Sequence, residues 1–207
     1  LDKNTIVCYS GDQGFYLGEH GWFDKRFIYE ESFRTPLLMR WPETIKPSSI
    51  NHDLVQNIDM APTFLEIAGL AIPNEVQGKS ILPLLKGHTP NHWRDSLYYH
   101  YYEYKGGHRV PNHEAIATKR YKLVNFYDLD HKELIDLHND PNEVNNQYHN
   151  PEYKEIIHSL EKKLQQKQIE FSVPELPAIN TEWRYTPEYL AEMQSKKKKG
   201  KKKTKKK

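Results

Sequence analysis

Apolar positions along this chain follow two patterns. Short apolar runs and helical spacings share the first ninety residues, and from about residue 96 the stretches become rich in tyrosine and aliphatic residues. The run Thr5-Ile6-Val7-Cys8-Tyr9 has no polar alternation and is rich in β-branched residues, which predicts a buried strand over 4–9. A loop punctuated by glycine follows over 10–21. Phe27, Ile28 and Glu31 then recur at helical spacing, so a helix is expected over 24–34, ended by Thr35-Pro36. Leu37-Leu38-Met39 reads as a second short strand, closed by Trp41-Pro42. A further helix is expected over 59–68, with Asp59 as N-cap, Pro62 in the tolerant first turn and Gly69 as the stop.

Beyond residue 96 the pattern changes. Residues 97–104 hold five tyrosines in eight positions, and 115–127 carry Ile116, Tyr121, Leu123, Val124 and Phe126. With Leu134-Ile135-Asp136-Leu137 these read as an antiparallel sheet, and Asn139-Asp140-Pro141-Asn142 as a turn. Tyr153, Ile156, Ile157, Leu160 and Leu164 share one face of a helix over 151–169, which should cover one side of that sheet. The class is therefore α/β with a small C-terminal antiparallel sheet packed on a helix. The expected division is an α/β part over 1–95, a subdomain over 96–171, a proline-interrupted, surface-wrapping extension over 172–195 and a lysine-rich tail over 196–207.

The tail changes the meaning of the charge. The formal net charge of the 207 residues is +2, but 196–207 contain ten lysines. Without them 20 Lys and Arg face 28 Asp and Glu, a balance near −8, so the body is acidic. Such a like-charge block is expected to be disordered and solvated, open at most to non-specific contact with a polyanion. No specific nucleic-acid partner is expected. The single Cys8 rules out an internal disulfide framework, and its apolar neighbours predict a buried thiol. No run reaches the ~18 apolar residues of a membrane helix. The chain opens on Leu1 and enters a strand at once, which suggests the C-terminal piece of something longer.

The chemistry concentrates in the loop after the first strand. Asp12 and Gln13 offer hard oxygen donors suited to Ca²⁺ or Mg²⁺, and Gly11 and Gly14 permit the turn that would aim both at one ion. Two ligands fall short of the six to eight oxygens Ca²⁺ takes, so others must come from elsewhere. Taken alone, the tetrapeptide competes with the plainer reading of a polar turn. Lys25 could hold an anionic group and stabilise charge on a leaving oxygen, or be a surface lysine. His20 could donate to an anion or sugar hydroxyl or act as an acid, or be a loop histidine bonded to backbone.

Read together, SGDQGFYLGEHGWFDKRFIYEESFRTPLLMRWP (10–42), IDMAPTFLEIAGL (58–70), VQGKSILPLLKG (76–87), ATKRYKLV (117–124) and LIDLHNDPNEVNN (134–146) closely resemble the C-terminal half of the formylglycine-dependent sulfatases of the alkaline-phosphatase superfamily. The likeness runs from residue 1 to about 170 and is most marked toward N-acetylglucosamine-6-sulfatases and related glycosaminoglycan enzymes. It implies the end of an alkaline-phosphatase-like mixed sheet flanked by helices, and sulfate removal from a sulfated carbohydrate. It implies Asp12 and Gln13 as Ca²⁺ ligands, Lys25 on the sulfate and the departing alkoxide, and His20 toward the substrate. More loosely, it places Glu103, His108 and His113 in a region lining the sugar pocket, and it implies a periplasmic or extracellular setting. The family's nucleophile arises in a Cys/Ser-x-Pro/Ala-x-Arg motif, which this chain lacks, as it lacks the first Asp pair. Alone, the chain is expected to be inactive. Two rival readings are a phosphatase or phosphonate hydrolase of the same superfamily, against which Gln13 argues, and a non-catalytic module that binds polyanions through its tail.

Overall fold

The computed structural model describes residues 2–103 and 110–175. Its centre is a four-stranded antiparallel meander, β3 (Leu97–Tyr101), β4 (His113–Ala117), β5 (Tyr121–Phe126) and β6 (His131–Asp136), in the order β3-β4-β5-β6. Residues 115–127, read above as one stretch, are thus split by a hairpin, where Thr118 N–H donates to the Tyr121 carbonyl at 2.8 Å.

Strand alternation gives the sheet two apolar faces. The register aligns Tyr98, Ile116, Leu123 and Leu134 in one row across it. This row packs beneath α4 (Lys154–Glu170), which brings Ile156, Ile157, Leu160 and Leu164. The opposite face carries Leu97, Tyr101, Ala115, Ala117, Val124 and Phe126, and it is covered by Tyr16, Phe27 and Ile28 from the early loop. The sheet therefore lies between a helix and the segment that holds the candidate chemistry.

The turn after β6 is tied down by one carboxylate. Asp136 accepts two hydrogen bonds from Arg120 at 2.9 Å, one from Asn139 at 2.9 Å and one from Tyr153 at 3.1 Å. The Arg120 bonds, ahead of the others, hold its pKa down at about 2. The expected helix over 151–169 begins with a 3-10 turn at Pro151–Tyr153, where the Asn150 side chain caps Glu152 N–H at 3.1 Å.

Three expectations need correction. The helix over 24–34 shrinks to α1 (Glu30–Phe33). The carbonyls that would bond along it are taken by tertiary donors. Tyr16 N–H bonds Asp24 O, Tyr99 Oη bonds Arg26 O, Tyr16 Oη bonds Phe27 O, and Lys122 Nζ bonds Ile28 O. Second, the strand predicted as buried is β1 (Val7–Ser10), exposed at all four positions, and Cys8 is exposed with it. It pairs only with β2 (Leu37–Arg40), antiparallel, so among the described residues nothing closes the outer edge of this ribbon. Third, Asp59 is no simple cap for α2 (Met60–Ile67). Its carboxylate is fully buried and accepts from Gln56 N–H at 2.7 Å, Lys79 N–H at 2.8 Å and the guanidinium of Arg94. Gly69 does end α2 as expected, at φ 70, with Gly69 N–H on Glu66 O and Leu70 N–H on Leu65 O. Thr63 on α2 receives Ile81 N–H at 2.9 Å and so docks α3 (Leu82–Leu85).

Burial of His113 predicts acid sensitivity. It has no exposed surface and stacks among Phe27, Tyr99, Tyr101 and Phe126, with ring centroids 5.0–5.6 Å away. Burial drives its pKa from 6.5 to about 4, against the lone bond of Nδ1 to Pro111 O. The fold thus favours the neutral ring. That contribution is complete above pH 6.5, declines as pH falls and is gone by about pH 4, for a loss of about 3 kcal/mol. Asp136 adds a second loss between 3.8 and about 2. Denaturant midpoints measured from pH 7 to 4 should fall steadily, and a midpoint that stays flat would contradict the burial of His113.

Candidate active site

The loop after β1 meets α1 through a close backbone contact. Gly14 N–H bonds Ser32 O at 2.7 Å, and a Cβ on Gly14 would lie 2.0 Å from Glu31 O. Only glycine fits there, so the loop is held close enough for Gln13 to bond to α1. Gly14→Ala should destabilise the chain by ~1–3 kcal/mol through overpacking. Thermal unfolding of the variant tests this, and parental stability would refute the contact.

The structure brings three expected residues together. Lys25 Nζ forms an ion pair with Asp12 across thirteen positions of sequence. The Asp12 carboxylate is 79% exposed, and the Lys25 hydrogen bond, ahead of backbone bonding, pulls its pKa down. Gln13 lies between Asp12 and α1, and its Nε2 donates to Ser32 Oγ at 3.0 Å. With the nitrogen engaged, Oε1 is the atom left to ligate. An exposed carboxylate and an amide oxygen make a hard donor pair, which fits Ca²⁺ or Mg²⁺ and not a thiophilic ion.

Lys25 is held by its neighbours. Arg26 pairs with Asp24 at 2.6 Å, and Lys25 N–H bonds Asp24 Oδ1 at 2.5 Å. Farther along, Lys122 is a fully buried cation that sequence reading missed. It pairs with Glu143 at 2.8 Å and Glu30 at 2.7 Å, and Glu143 also receives Glu30 N–H at 2.5 Å. Burial raises the Glu143 pKa despite Lys122. This network fastens α1, and through it Ser32 and the Gly14 contact, to the sheet. A buried lysine inside a strand gives no sequence signal beyond a polar residue out of pattern.

His20 makes its contacts with Tyr16, Tyr29 and Glu31. Its backbone has φ 53, its ring stacks on Tyr29 at 4.5 Å, and Nε2 faces Glu31 at 3.3 Å. His20, Glu31 and Glu143 bring one ligand-type atom each within 4.8 Å of one another, but Glu143 is already paired with Lys122. His113 lies in the core as described. Glu103 is exposed, and His108 and the lysine tail lie outside the described residues. A cavity of about 610 Å³ opens beside β3 on the α4 side, lined by Tyr98, His100, Tyr102, Tyr127 and Phe171 among others. No described helix is long and apolar enough to cross a membrane.

Near the end of β1 the loop thus holds two oxygen donors and an ammonium group, the atom types that a hard cation and an oxyanion require. Comparison with known proteins narrows this further. Residues 18–170 match the family model of the N-sulphoglucosamine sulphohydrolase C-terminal region, and the chain belongs to that sulfatase family. It is 48% identical to an N-acetylglucosamine-6-O-sulfatase of Bacteroides thetaiotaomicron over 83% of this chain and 32% of that protein. It also superposes, at a TM-score of 0.81 and 45% identity, on the structure of BT4656 in complex with its substrate D-glucosamine-2-N,6-O-disulfate, over 84% of this chain and 36% of that one. A phosphonate monoester hydrolase from Silicibacter pomeroyi is similar at a TM-score of 0.70 and 25% identity, over 81% of this chain and 35% of that one. The chain spans about a third of the length of the curated relatives it matches.

Proposed function

We propose that this chain forms the C-terminal part of a sulfuric ester hydrolase that removes sulfate from a sulfated glycan of the amino-sugar or glycosaminoglycan type. The observation that carries the reading is the Asp12–Lys25 pair beside Gln13 at the end of β1. Similarity to an N-acetylglucosamine-6-O-sulfatase supports the substrate class.

In this reading Asp12 and Gln13 are two of the ligands of a calcium ion. When bound, that ion supplies positive charge against the sulfate oxygens. Lys25 then exchanges its bond to Asp12 for one to the sulfate and stabilises the negative charge growing on the leaving sugar oxygen. His20 is oriented by Glu31 and the Tyr29 ring, at the flank of the same loop. The nucleophile and the first Asp pair are absent from these 207 residues, so the chain alone should release no sulfate. The apolar residues exposed on the ribbon, Val7, Tyr9 and Leu38, are surfaces for the rest of the enzyme to cover.

The test is desulfation of 6-sulfated glucosamine by the full-length protein, produced with its maturation system. No release from any sulfated sugar or aryl sulfate would overturn the proposal. Likeness to a phosphonate monoester hydrolase motivates the rival chemistry, and stoichiometric zinc in the purified protein together with phosphonate turnover would favour it.

A further inference from the structure

The hydrogen bonds around Gln13 run in one direction. Its Nε2 donates to Ser32 Oγ, and Ser32 has no exposed surface. The phenol of Tyr99 also interacts with the Gln13 side chain. Tyr99 gives its only proton to Arg26 O at 2.5 Å. A backbone carbonyl can only accept, so Tyr99 turns a lone pair toward Gln13. Ser32 is under the same constraint. It interacts with the phenol of Tyr16, whose proton is committed to Phe27 O at 3.2 Å and Tyr29 O at 3.4 Å. Tyr16 is thereby left to accept the Ser32 proton, and Ser32 keeps a lone pair for Gln13. Both relays end on carbonyls of residues 26–29. Ser32 and Tyr99 therefore both meet Gln13 as acceptors, and an oxygen turned toward them would face lone pairs.

We propose that Ser32 and Tyr99 are positioning residues that fix the Gln13 amide with its nitrogen inward and Oε1 toward the cation. This rests on the reading of Gln13 as a calcium ligand. It gives a reason for an amide at a position where a carboxylate would add charge: both oxygens of a carboxylate there would be acceptors, and one of them would meet the lone pairs of Ser32 and Tyr99.

The experiment is calcium titration calorimetry on the metal-stripped, full-length protein. Ser32→Ala and Tyr99→Phe should each weaken calcium binding by ~10-fold. Gln13→Glu should also weaken it, although an added negative charge alone would tighten it. Gln13→Ala separates the two layers of the argument. If Gln13→Ala weakens binding while Ser32→Ala and Tyr99→Phe stay within about twofold of parental affinity, the positioning role fails and the ligand role stands. If Gln13→Ala leaves affinity unchanged, the ligand role itself fails. Tyr99→Phe keeps the ring, and its near-ultraviolet circular dichroism checks the fold. Should Ser32→Ala not fold, ¹⁵N spectra of the parental protein decide: the inward Gln13 amide protons should be slow to exchange, and free-glutamine exchange rates would overturn the proposal.

Discussion

Lys25→Ala in the full-length enzyme is expected to lower kcat for sulfate release by roughly 10²–10³-fold, the usual loss when a donor to developing negative charge is removed. Stability should barely move. The Lys25–Asp12 pair is largely exposed, and such pairs contribute little to folding. The backbone of residues 24–29 is fixed by Tyr16, Tyr99 and Lys122 rather than by the Lys25 side chain. Activity and unfolding should therefore separate, with kcat collapsing at an unchanged Tm. Lys25→Arg would keep the charge but not the compact ammonium, and should recover only part of the rate. An alanine variant that retains parental kcat would remove Lys25 from the mechanism.

Arg94→Met should have the opposite signature, a large loss of stability. Asp59 has no exposed surface and the Arg94 side chain is only 6% exposed. The guanidinium makes two bonds to the carboxylate, and Trp93 lies 5.2 Å beneath it. Removing the cation leaves a buried carboxylate with only the Gln56 and Lys79 N–H groups for compensation. Breaking a buried pair in this way costs about 3–5 kcal/mol. Asp59→Asn added to Arg94→Met should recover part of that loss, because the orphaned charge disappears while the amide oxygen still accepts from one of the two backbone N–H groups. Denaturant unfolding of the three proteins checks this, and a loss below ~1 kcal/mol for Arg94→Met would show that the pair is not buried in solution.

Much of the fold was legible because the relevant signals are local. Strand-prone tyrosines and aliphatics predicted the antiparallel sheet, and Ile156, Ile157, Leu160 and Leu164 predicted the face that α4 lays on it. Asp12, Gln13 and Lys25 were identified through resemblance, since their spacing alone did not separate a metal loop from a polar turn. The 24–34 helix failed because periodicity cannot see the donors that capture its carbonyls, and Lys122 reaches Ile28 from 94 residues away. Cys8 and its strand failed because an apolar run says that burial is wanted, while the partner that provides it must be present.

The sequence by itself determined the strand-forming stretches and the last helix, the Gly69 stop, the family, and the residue types that can hold a hard cation and an oxyanion. Only the tertiary structure decided which of those residues meet. The Asp12–Lys25 pair, the Gln13–Ser32 bond, the Asp59–Arg94 pair and the buried Lys122–Glu143 pair join positions 13 to 35 residues apart. Hydrogen bonds and ion pairs act over about 3 Å, and no local pattern encodes which distant groups the folded chain brings within that range.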